Sequence, residues 1–196
     1  MGSKEYSNIK AEEILRLLEE PTKDRRPLKD KLRREAPVKE LIKALRNSQT
    51  ELTRCILCVI LADRQAKTAI SALIECLDDP SAAVNDDAAE ALGKIGSPKA
   101  GDALLKHFIH EKHGWYAVAL GAIGYRPAIP YLMDALINSS EWFVGGGAAW
   151  SLGELMAKEA MTALEIALAK EKNNYASERI REAIDRINWK EQFTQK

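Results

Sequence analysis

The residues best suited to chemistry are a C-x-x-C pair, Cys55 and Cys58, and three histidines at steps of three, His107, His110 and His113. A structural zinc ion needs four ligands. The sequence has no second C-x-x-C pair, and the histidines lie far along the chain from the cysteines. Spaced cysteines on an apolar helix usually serve packing, and we expect the histidines on a surface turn. The pattern therefore predicts no metal site and no catalytic residue.

A basic segment and the absence of catalytic motifs limit the other functions. Residues 23–34 contain seven Lys or Arg in twelve positions, which could contact phosphates. Asp24 and Asp30 interrupt this run, so the solvated face of an N-terminal helix explains it better. Phosphate-binding loops, nucleophile elbows and paired-carboxylate motifs are missing from the sequence. We therefore favour a non-enzymatic function and expect no nucleic acid partner.

A glycine-rich stretch flanked by tryptophans runs from Trp142 to Leu155. Its apolar residues have helical spacing, yet three consecutive glycines, 145–147, lie inside it. Each glycine costs roughly 1 kcal/mol of helix propensity relative to alanine. A helix with this composition either packs unusually close to a neighbour or leaves space beside its backbone.

Composition places the chain among globular or repeat proteins. It has 196 residues, 46% of them hydrophobic, and its 29 basic and 29 acidic residues cancel. The three cysteines (Cys76 is the third) do not suggest a disulfide framework. The sequence shows neither an apolar run of about 20 residues nor an apolar signal core. We therefore expect a cytoplasmic protein that does not enter a membrane.

An internal repeat organises these residues. The pattern Ile70-Ser-Ala-Leu73-Ile74-Glu-Cys-Leu77 recurs at 38–45, 101–108, 129–136 and 161–168. Each copy has the helical spacing i, i+3, i+4, i+7 and is followed by a polar break and a second apolar pattern. The repeats thus predict helical hairpins of about 30 residues with no strands. A single hairpin cannot bury its own apolar stripe, so neighbouring hairpins must stack.

The unit at 70–96, IxALIexLxDPsxxVxxxAaeALGkIG, resembles the HEAT repeat, and in particular the HEAT-like subclass named for phycobilisome lyases. The resemblance implies an all-α fold, a right-handed α-solenoid of about five to six HEAT-like helical hairpins. That family includes adaptors, bilin lyase subunits, a hydroxylase and DNA glycosylase relatives. The Arg that often follows the second-helix Val in the family is replaced here by Asn85, His113, Gly145 and Ser177.

The predicted organisation is a single solenoid between two short tails. The tails are residues 1–10 and 191–196, and the solenoid is 11–190. Its units lie near 11–36, 37–68, 69–99, 100–127, 128–159 and 160–190.

The resemblance also implies that the second helix of each hairpin lines the concave side. On 84–96 we expect Val84, Ala88, Ala89, Leu92 and Ile95 in the core. Carrying the same register along the array gives the expected groove positions: Arg54, Cys55, Cys58, Ala62; Asp86, Asp87, Glu90, Lys94; Gly114, Trp115, Val118, Ala122; Gly146, Gly147, Trp150, Glu154; and Glu178, Arg179, Glu182, Arg186. A register error of one residue would instead place both Trp115 and Trp150 in the core.

These positions suggest a groove that binds another protein. Apolar and aromatic residues stand where solvent-facing helix positions normally carry charge, which is typical of a contact site. We expect Trp115, Trp150 and Trp142 to anchor the partner, the glycines to permit its close approach, and the acids to select a basic rim. The predicted site comprises Trp115, Val118, Trp142, Gly146, Gly147, Trp150, Glu154, Asp86, Asp87 and Glu90.

A second function follows from the resemblance to the lyase branch. The chain would then be one subunit of a bilin lyase, or a phycobilisome-associated factor, and would bind a tetrapyrrole. Such lyases commonly act as two-chain complexes, so the partner would be a second HEAT-like chain. Under the protein-binding hypothesis no cofactor is expected.

Overall fold

The computed structural model describes residues 6–21 and 24–194, with side chains up to Trp189. The chain forms two compact units, Met1–Ile95 and Gly96–Lys196, and each is described by itself. Parts of three sequence features lie outside the described residues: positions 1–5 of the N-terminal tail, Lys23 of the basic segment, and 195–196 of the C-terminal tail. Within the described ranges, no helix is both long and apolar enough to cross a membrane.

Twelve α-helices and no strand make up the regular structure of the described part of the chain, apart from short 3₁₀ turns. The helices are α1 (Ala11–Glu19), α2 (Arg26–Glu35), α3 (Val38–Asn47), α4 (Glu51–Asp63), α5 (Ile70–Glu75), α6 (Ala82–Ile95), α7 (Gly101–Glu111), α8 (Gly114–Ala122), α9 (Ile129–Asn138), α10 (Trp142–Glu154), α11 (Met161–Lys170) and α12 (Asn174–Thr194). The all-α fold of helical hairpins is therefore confirmed. Each of the six expected units holds one helix pair, and α12 continues past 190.

The hairpins start and stop where local chemistry requires. Proline lies at the second residue of α2 and α9 and just before α3, where its missing N–H costs nothing. After the second helix of four consecutive hairpins the backbone turns left-handed, at Gln65, Gly96, Gly124 and Met156, with φ between 50° and 72°. This left-handed residue lets the chain leave the helix while orphan carbonyls still find a donor.

In the first unit, the hairpins pack side by side and charged residues join one repeat to the next. Arg46 donates to Glu75 at 2.7 and 2.8 Å, and Lys43 donates to Glu12 at 2.6 Å. These pairs are exposed, so solvent screens them and they contribute little to the stability of the fold. The backbone N–H of Ala11 also donates to the buried Glu40 carboxylate at 3.1 Å.

Two less exposed polar links in the first unit involve α4 and α6. Arg54 forms an ion pair with Asp79, Nε to Oδ2 2.6 Å and Nη2 to Oδ1 2.9 Å, with side chains only 15% and 9% exposed. Asn85 donates from Nδ2 to the carbonyls of Cys76, Leu77 and Asp79 at 2.9–3.0 Å. Asn85 thus stands at the family's Arg position and satisfies carbonyls at the end of the preceding helical segment.

In the second unit, α10 packs between α8 and α12, and small residues let the helices approach closely. A Cβ added at Gly147 would lie 3.0 Å from the carbonyl oxygen of Gly114, and one at Gly153 would lie 3.0 Å from Ala183 Cα. The Ser151 hydroxyl donates to the Ala117 carbonyl at 2.7 Å in the buried interface. Contacts this short are tighter than an alanine could make without displacing the neighbouring backbone.

The glycine run therefore has a structural explanation that the sequence left open. Gly147 faces α8, whereas Gly146 faces α12, where an added Cβ would lie 3.6 Å from Ala176 Cα. Gly145, at the family's Arg position, faces neither helix, because a Cβ there would meet no atom of a neighbouring element within 4 Å. The core positions of 84–96 correspond in this repeat to five apolar residues, and all five are buried: Val144, Ala148, Ala149, Leu152 and Leu155.

Two Gly→Ala substitutions test this packing. We expect Gly121→Ala to destabilise the protein by about 1–3 kcal/mol, because the new methyl would lie 2.6 Å from Ser151 Cα. Gly145→Ala, also inside a helix but with room for a methyl, should stabilise it by up to about 1 kcal/mol through helix propensity. Urea unfolding followed by circular dichroism measures both changes. Equal effects of the two substitutions would contradict close packing at Gly121.

Candidate functional site

A groove of about 220 Å³ lies on the second unit, over the surface formed by α8, α10 and α12. More apolar than polar surface faces it, and aromatic side chains dominate its walls. The residues that line it are Trp115, Val118, Phe143, Gly146, Gly147, Trp150, Tyr175 and Arg179.

Six of these eight residues stand at positions that the sequence register assigned to the groove. Trp115, Val118 and Trp150 are half-buried, with one side packed and the other facing the groove. Gly146 and Gly147 are buried and form the floor of the groove. Because they have no side chains, the neighbouring helices can pack closely, and the space above the two glycines stays open. The register therefore holds for both tryptophans, and neither lies in the core. Their use in binding stays a prediction.

A chain of aromatic rings runs along the groove, with Phe143 at its centre. Phe143 contacts Trp115 with ring centroids 5.4 Å apart and Trp142 at 5.7 Å, both near-perpendicular. His113 approaches it at 6.2 Å, and Trp142 in turn meets Tyr175 at 5.4 Å. Edge-to-face pairs of this kind stabilise by about 0.5–1.5 kcal/mol beyond burial. The rings thus hold one another in place at the surface.

The predicted site includes neither Phe143 nor Tyr175, both of which line the groove. Both residues directly precede the first core position of their helix, Val144 and Ala176 respectively. An aromatic residue at that position in two successive repeats is the signal that would have identified them. Tyr175 matters because it extends the apolar wall onto α12.

On the second unit, two residues of the predicted site do not line the groove. Trp142 is 48% exposed and lies beside the groove, where it covers the edges of Phe143 and Tyr175. Glu154 is exposed, and its carboxylate forms an ion pair with Arg186 of α12. This ion pair links two helices, so the Glu154 carboxylate is already paired within the chain and is not available to a basic group of a partner protein.

Arg179 is the charged residue of the groove wall. Its guanidinium lies 5.0 Å from the centroid of the Tyr175 ring, a cation–π contact. Its Nη1 donates to Glu182 Oε2 at 2.8 Å, whereas its Nε is buried and has no hydrogen-bond partner. A buried donor without an acceptor is unusual in a folded protein. The groove therefore combines aromatic walls with an incompletely satisfied cation.

The acidic residues predicted for the groove belong to the first unit and lie on α6. Asp86, Asp87 and Glu90 are all half-buried, and Glu90 pairs with Lys94 at 2.7 Å. Burial raises the pKa of Asp87, and the Cys55 thiol hydrogen-bonded to its carboxylate acts in the opposite direction. The register placed these acids on an accessible face, and the structure agrees.

On α4 the predicted register is wrong by one residue. Cys58 and Ala62 were expected in the groove but are buried, at 0% and 2% exposure. Arg54 and Cys55 are half-buried as expected, and Val59 takes the accessible place expected for Cys58, which fits a repeat spacing of 31 rather than 32 residues. One residue of slip rotates a helix by about 100°, which is enough to bury Cys58 and Ala62.

The histidines also differ from their expected place on a surface turn. His107 is buried in α7, where its Nδ1 lies 3.1 Å from Glu111 Oε1 and its ring stacks at 5.6 Å on the buried Tyr116. His113 is half-buried and precedes α8. Only His110 is exposed. In the described part of the chain, no three His, Cys, Asp or Glu side chains are grouped so that they could hold a metal ion.

The pKa of the Cys55 thiol reflects the electrostatic environment between α4 and α6 of the first unit. Burial, followed by the hydrogen bond and negative charge of Asp87, raises the pKa of this thiol to about 12. Alkylation requires the thiolate, so the half-buried Cys55 should react slowly with iodoacetamide at pH 8.

Removing the charge of Asp87 should accelerate that reaction. Asp87→Asn lowers the pKa of Cys55, so a larger thiolate fraction exists at pH 8, and we expect a rate increase of at least about threefold. Mass spectrometry of the Cys55 peptide measures the rate, and Glu51→Gln, which removes a weaker electrostatic neighbour, serves as the control. An unchanged rate in Asp87→Asn would mean that burial alone sets the pKa.

Comparison with known structures places this geometry among repeat proteins. The chain is similar to a structure of the complex of CpcE and CpcF of phycocyanin lyase from Nostoc sp. PCC7120, with 19% identity, a TM-score of 0.58, and 95% of this chain and 98% of that chain covered. It is also similar to a designed armadillo repeat protein, with 18% identity, a TM-score of 0.58, and 90% and 99% covered. At these identities the likeness concerns the fold. A sequence search among curated proteins finds no match.

The family assignment comes from the sequence profile of HEAT repeats. It matches residues 38–117 and 113–185, which include every helix from α3 to α11 and the start of α12. The four hairpins from α3 to α10, the left-handed residues that close them and the buried positions of their second helices fall within these matches. The chain therefore belongs to the HEAT repeat family.

Proposed function

We propose that this chain is an adaptor that holds a segment of a partner protein in the aromatic groove of its second unit. The observation that carries the proposal is the set of large aromatic side chains, three half-buried and one exposed, that line a surface groove rather than a core. Trp115, Phe143, Trp150 and Tyr175 supply its walls. Aromatic residues at such positions are typical of the few side chains that supply most of the energy of a protein interface.

The size of the groove supports a peptide as the ligand. Pockets for small molecules and cofactors usually measure about 300–1,000 Å³, and this groove measures about 220 Å³. It could take one or two apolar side chains of a bound segment. The ring-to-ring contacts keep the walls rigid before binding, which lowers the entropic cost of association.

Charge on the first unit supports an additional preference. Asp86, Asp87 and Glu90 are half-buried on one face of α6, and of these Glu90 already pairs with Lys94. The two aspartates favour basic side chains in whatever part of a partner reaches this unit.

The free cysteines and the lack of a membrane-spanning helix among the described residues are compatible with the proposed cytoplasmic location.

Substitution of the two groove tryptophans tests the adaptor function. Peptides are first selected against the wild-type protein from a random displayed library, and their affinity for the variants is then measured by calorimetry. The double variant Trp115→Ala, Trp150→Ala should bind at least about tenfold more weakly, since truncating a central aromatic anchor costs about 2 kcal/mol or more.

The matched control is Trp189→Ala. Trp189 is 65% exposed and does not line the groove, so its removal should leave the affinity unchanged. Circular dichroism and thermal melting establish whether each variant is folded. Selected peptides that bind the folded double variant as tightly as wild type would refute the groove as the binding site.

The second candidate is a bilin lyase subunit that acts with another HEAT-like chain. The similarity to the phycocyanin lyase complex favours it, together with an aromatic groove against which a conjugated ring could stack. The groove volume counts against it, because a linear tetrapyrrole is larger than this cavity unless a second chain completes the site. Such a subunit would pair with its partner chain before it binds the pigment.

Absorption spectroscopy separates the two candidates. A lyase subunit mixed with a linear tetrapyrrole, alone or together with a second HEAT-like chain, should shift the visible absorption band of the pigment, because binding in an apolar site changes its conformation and protonation. The adaptor hypothesis predicts no shift at micromolar protein. A band shift that disappears in the double tryptophan variant would assign pigment binding to this groove and overturn the adaptor hypothesis.

A further inference from the structure

We infer that the segment held in the groove carries a carboxylate next to its apolar anchor, and that Arg179 is the residue that recognises it. The inference rests on the proposed function, since it assigns the chemistry of the ligand in that same groove. It concerns the second unit alone, where Arg179 is the charged residue among the eight that line the cavity.

Arg179 is held in place before any ligand arrives. Its guanidinium lies over the Tyr175 ring at 5.0 Å, and its Nη1 bonds to Glu182 one turn further along α12. The side chain is 31% exposed, so it is neither fully buried nor freely solvated. Two contacts from the same helix thus fix the plane of the guanidinium beside the aromatic walls.

The hydrogen bonds that Arg179 makes leave some of its N–H donors without an acceptor. A guanidinium carries five N–H donors, and the hydrogen bond to Glu182 involves only Nη1. Nε is shielded from solvent and from a ligand alike, so Nη2 is the donor group that remains for an acceptor from outside. An arrangement of this kind favours a ligand that brings an acceptor.

A carboxylate fits this acceptor role best. The planar fork of arginine binds a carboxylate through two parallel hydrogen bonds, and charge-assisted bonds of this type are about twice as strong as neutral ones. Arg54 in the first unit shows a fuller pairing, because Asp79 forms an ion pair with it and accepts a hydrogen bond from its Nη2 at 2.9 Å, although the Nε of both arginines makes no hydrogen bond. Arg179 pairs with Glu182 through Nη1 alone. An Asp or Glu of the bound segment would supply an acceptor for Nη2.

The neighbouring arginine of α12 provides a matched comparison. Arg186 lies two turns further along, is paired with Glu154 and does not line the groove. It has the same charge and belongs to the same helix, so it controls for the general electrostatic potential of this surface. If recognition is specific, substitution of Arg179 should weaken the binding of a ligand carboxylate, and substitution of Arg186 should not.

The test uses naphthylacetate and naphthylacetamide, which share one aromatic body and differ in a carboxylate against a neutral amide. Each is titrated into the full chain, and the indole N–H signals are followed by NMR, with those of Trp115 and Trp150 as reporters and that of Trp189 as the internal control. We expect wild type to bind the carboxylate about tenfold more tightly than the amide. Arg179→Met should reduce this tenfold difference to less than about twofold, whereas Arg186→Met should leave it at about tenfold.

The outcomes separate the inference from the function on which it rests. If both compounds shift Trp115 and Trp150 with equal affinity in wild type, the groove stands and carboxylate recognition is overturned. If Arg179→Met weakens both compounds equally, Arg179 shapes the groove and does not recognise an anion, which also overturns the inference. If neither compound shifts Trp115 and Trp150, the groove itself fails as a binding site, and the inference fails with it.

Discussion

The close contact of α10 with its two neighbours is the interaction on which the structure of the second unit depends. Small residues form this contact: Gly147 lies against the Gly114 carbonyl, Gly153 against Ala183, and Ser151 donates to the Ala117 carbonyl at 2.7 Å. The glycines of α10 reduce its intrinsic helix propensity by roughly 1 kcal/mol each, so tertiary packing must hold the helix. It can do so because backbone atoms meet across the interface and leave no space for a cavity.

The same contact explains the aromatic groove. An interface filled by glycine, alanine and serine has no room for indole rings, so the tryptophans of α8 and α10 lie at its edges, whereas Tyr116 of α8 is buried beside His107 of α7. Trp115, Trp150 and Tyr175 therefore line a surface depression whose floor is Gly146 and Gly147. Phe143 contacts two tryptophans edge-on and so limits their rotation. Helix packing thus determines the depth of the groove, and ring contacts determine the shape of its walls.

Much of this architecture could be predicted from the repeat pattern, because core positions recur at a constant offset within each second helix. Val84, Ala88 and Leu92 identify the core, and the same offset correctly assigned Trp115 and Trp150 to the groove. The assignment failed on α4, where the repeat is one residue shorter, so that Cys58 is buried. It also missed Tyr175, because a residue ahead of the first core position has no fixed orientation until the preceding loop is known. Pairings such as Glu154 with Arg186 depend on side-chain conformations, which periodicity does not contain.

Charge distinguishes the two units in a way that bears on their selectivity. In the first unit the arginine with a shielded Nε meets an aspartate of its own chain, so that its charge contributes to folding. In the second unit Arg179 meets an aromatic ring and one exposed glutamate, so that part of its hydrogen-bonding capacity is retained in the folded state. Apolar contact with the aromatic walls provides affinity but discriminates poorly among hydrophobic side chains. A hydrogen-bond donor that is fixed in place and lacks an acceptor discriminates strongly between ligands. A ligand without an acceptor leaves this donor unpaired, which costs binding energy. Under the proposed function, the rings would supply the affinity of the groove, and the one cation in its wall would supply its selectivity.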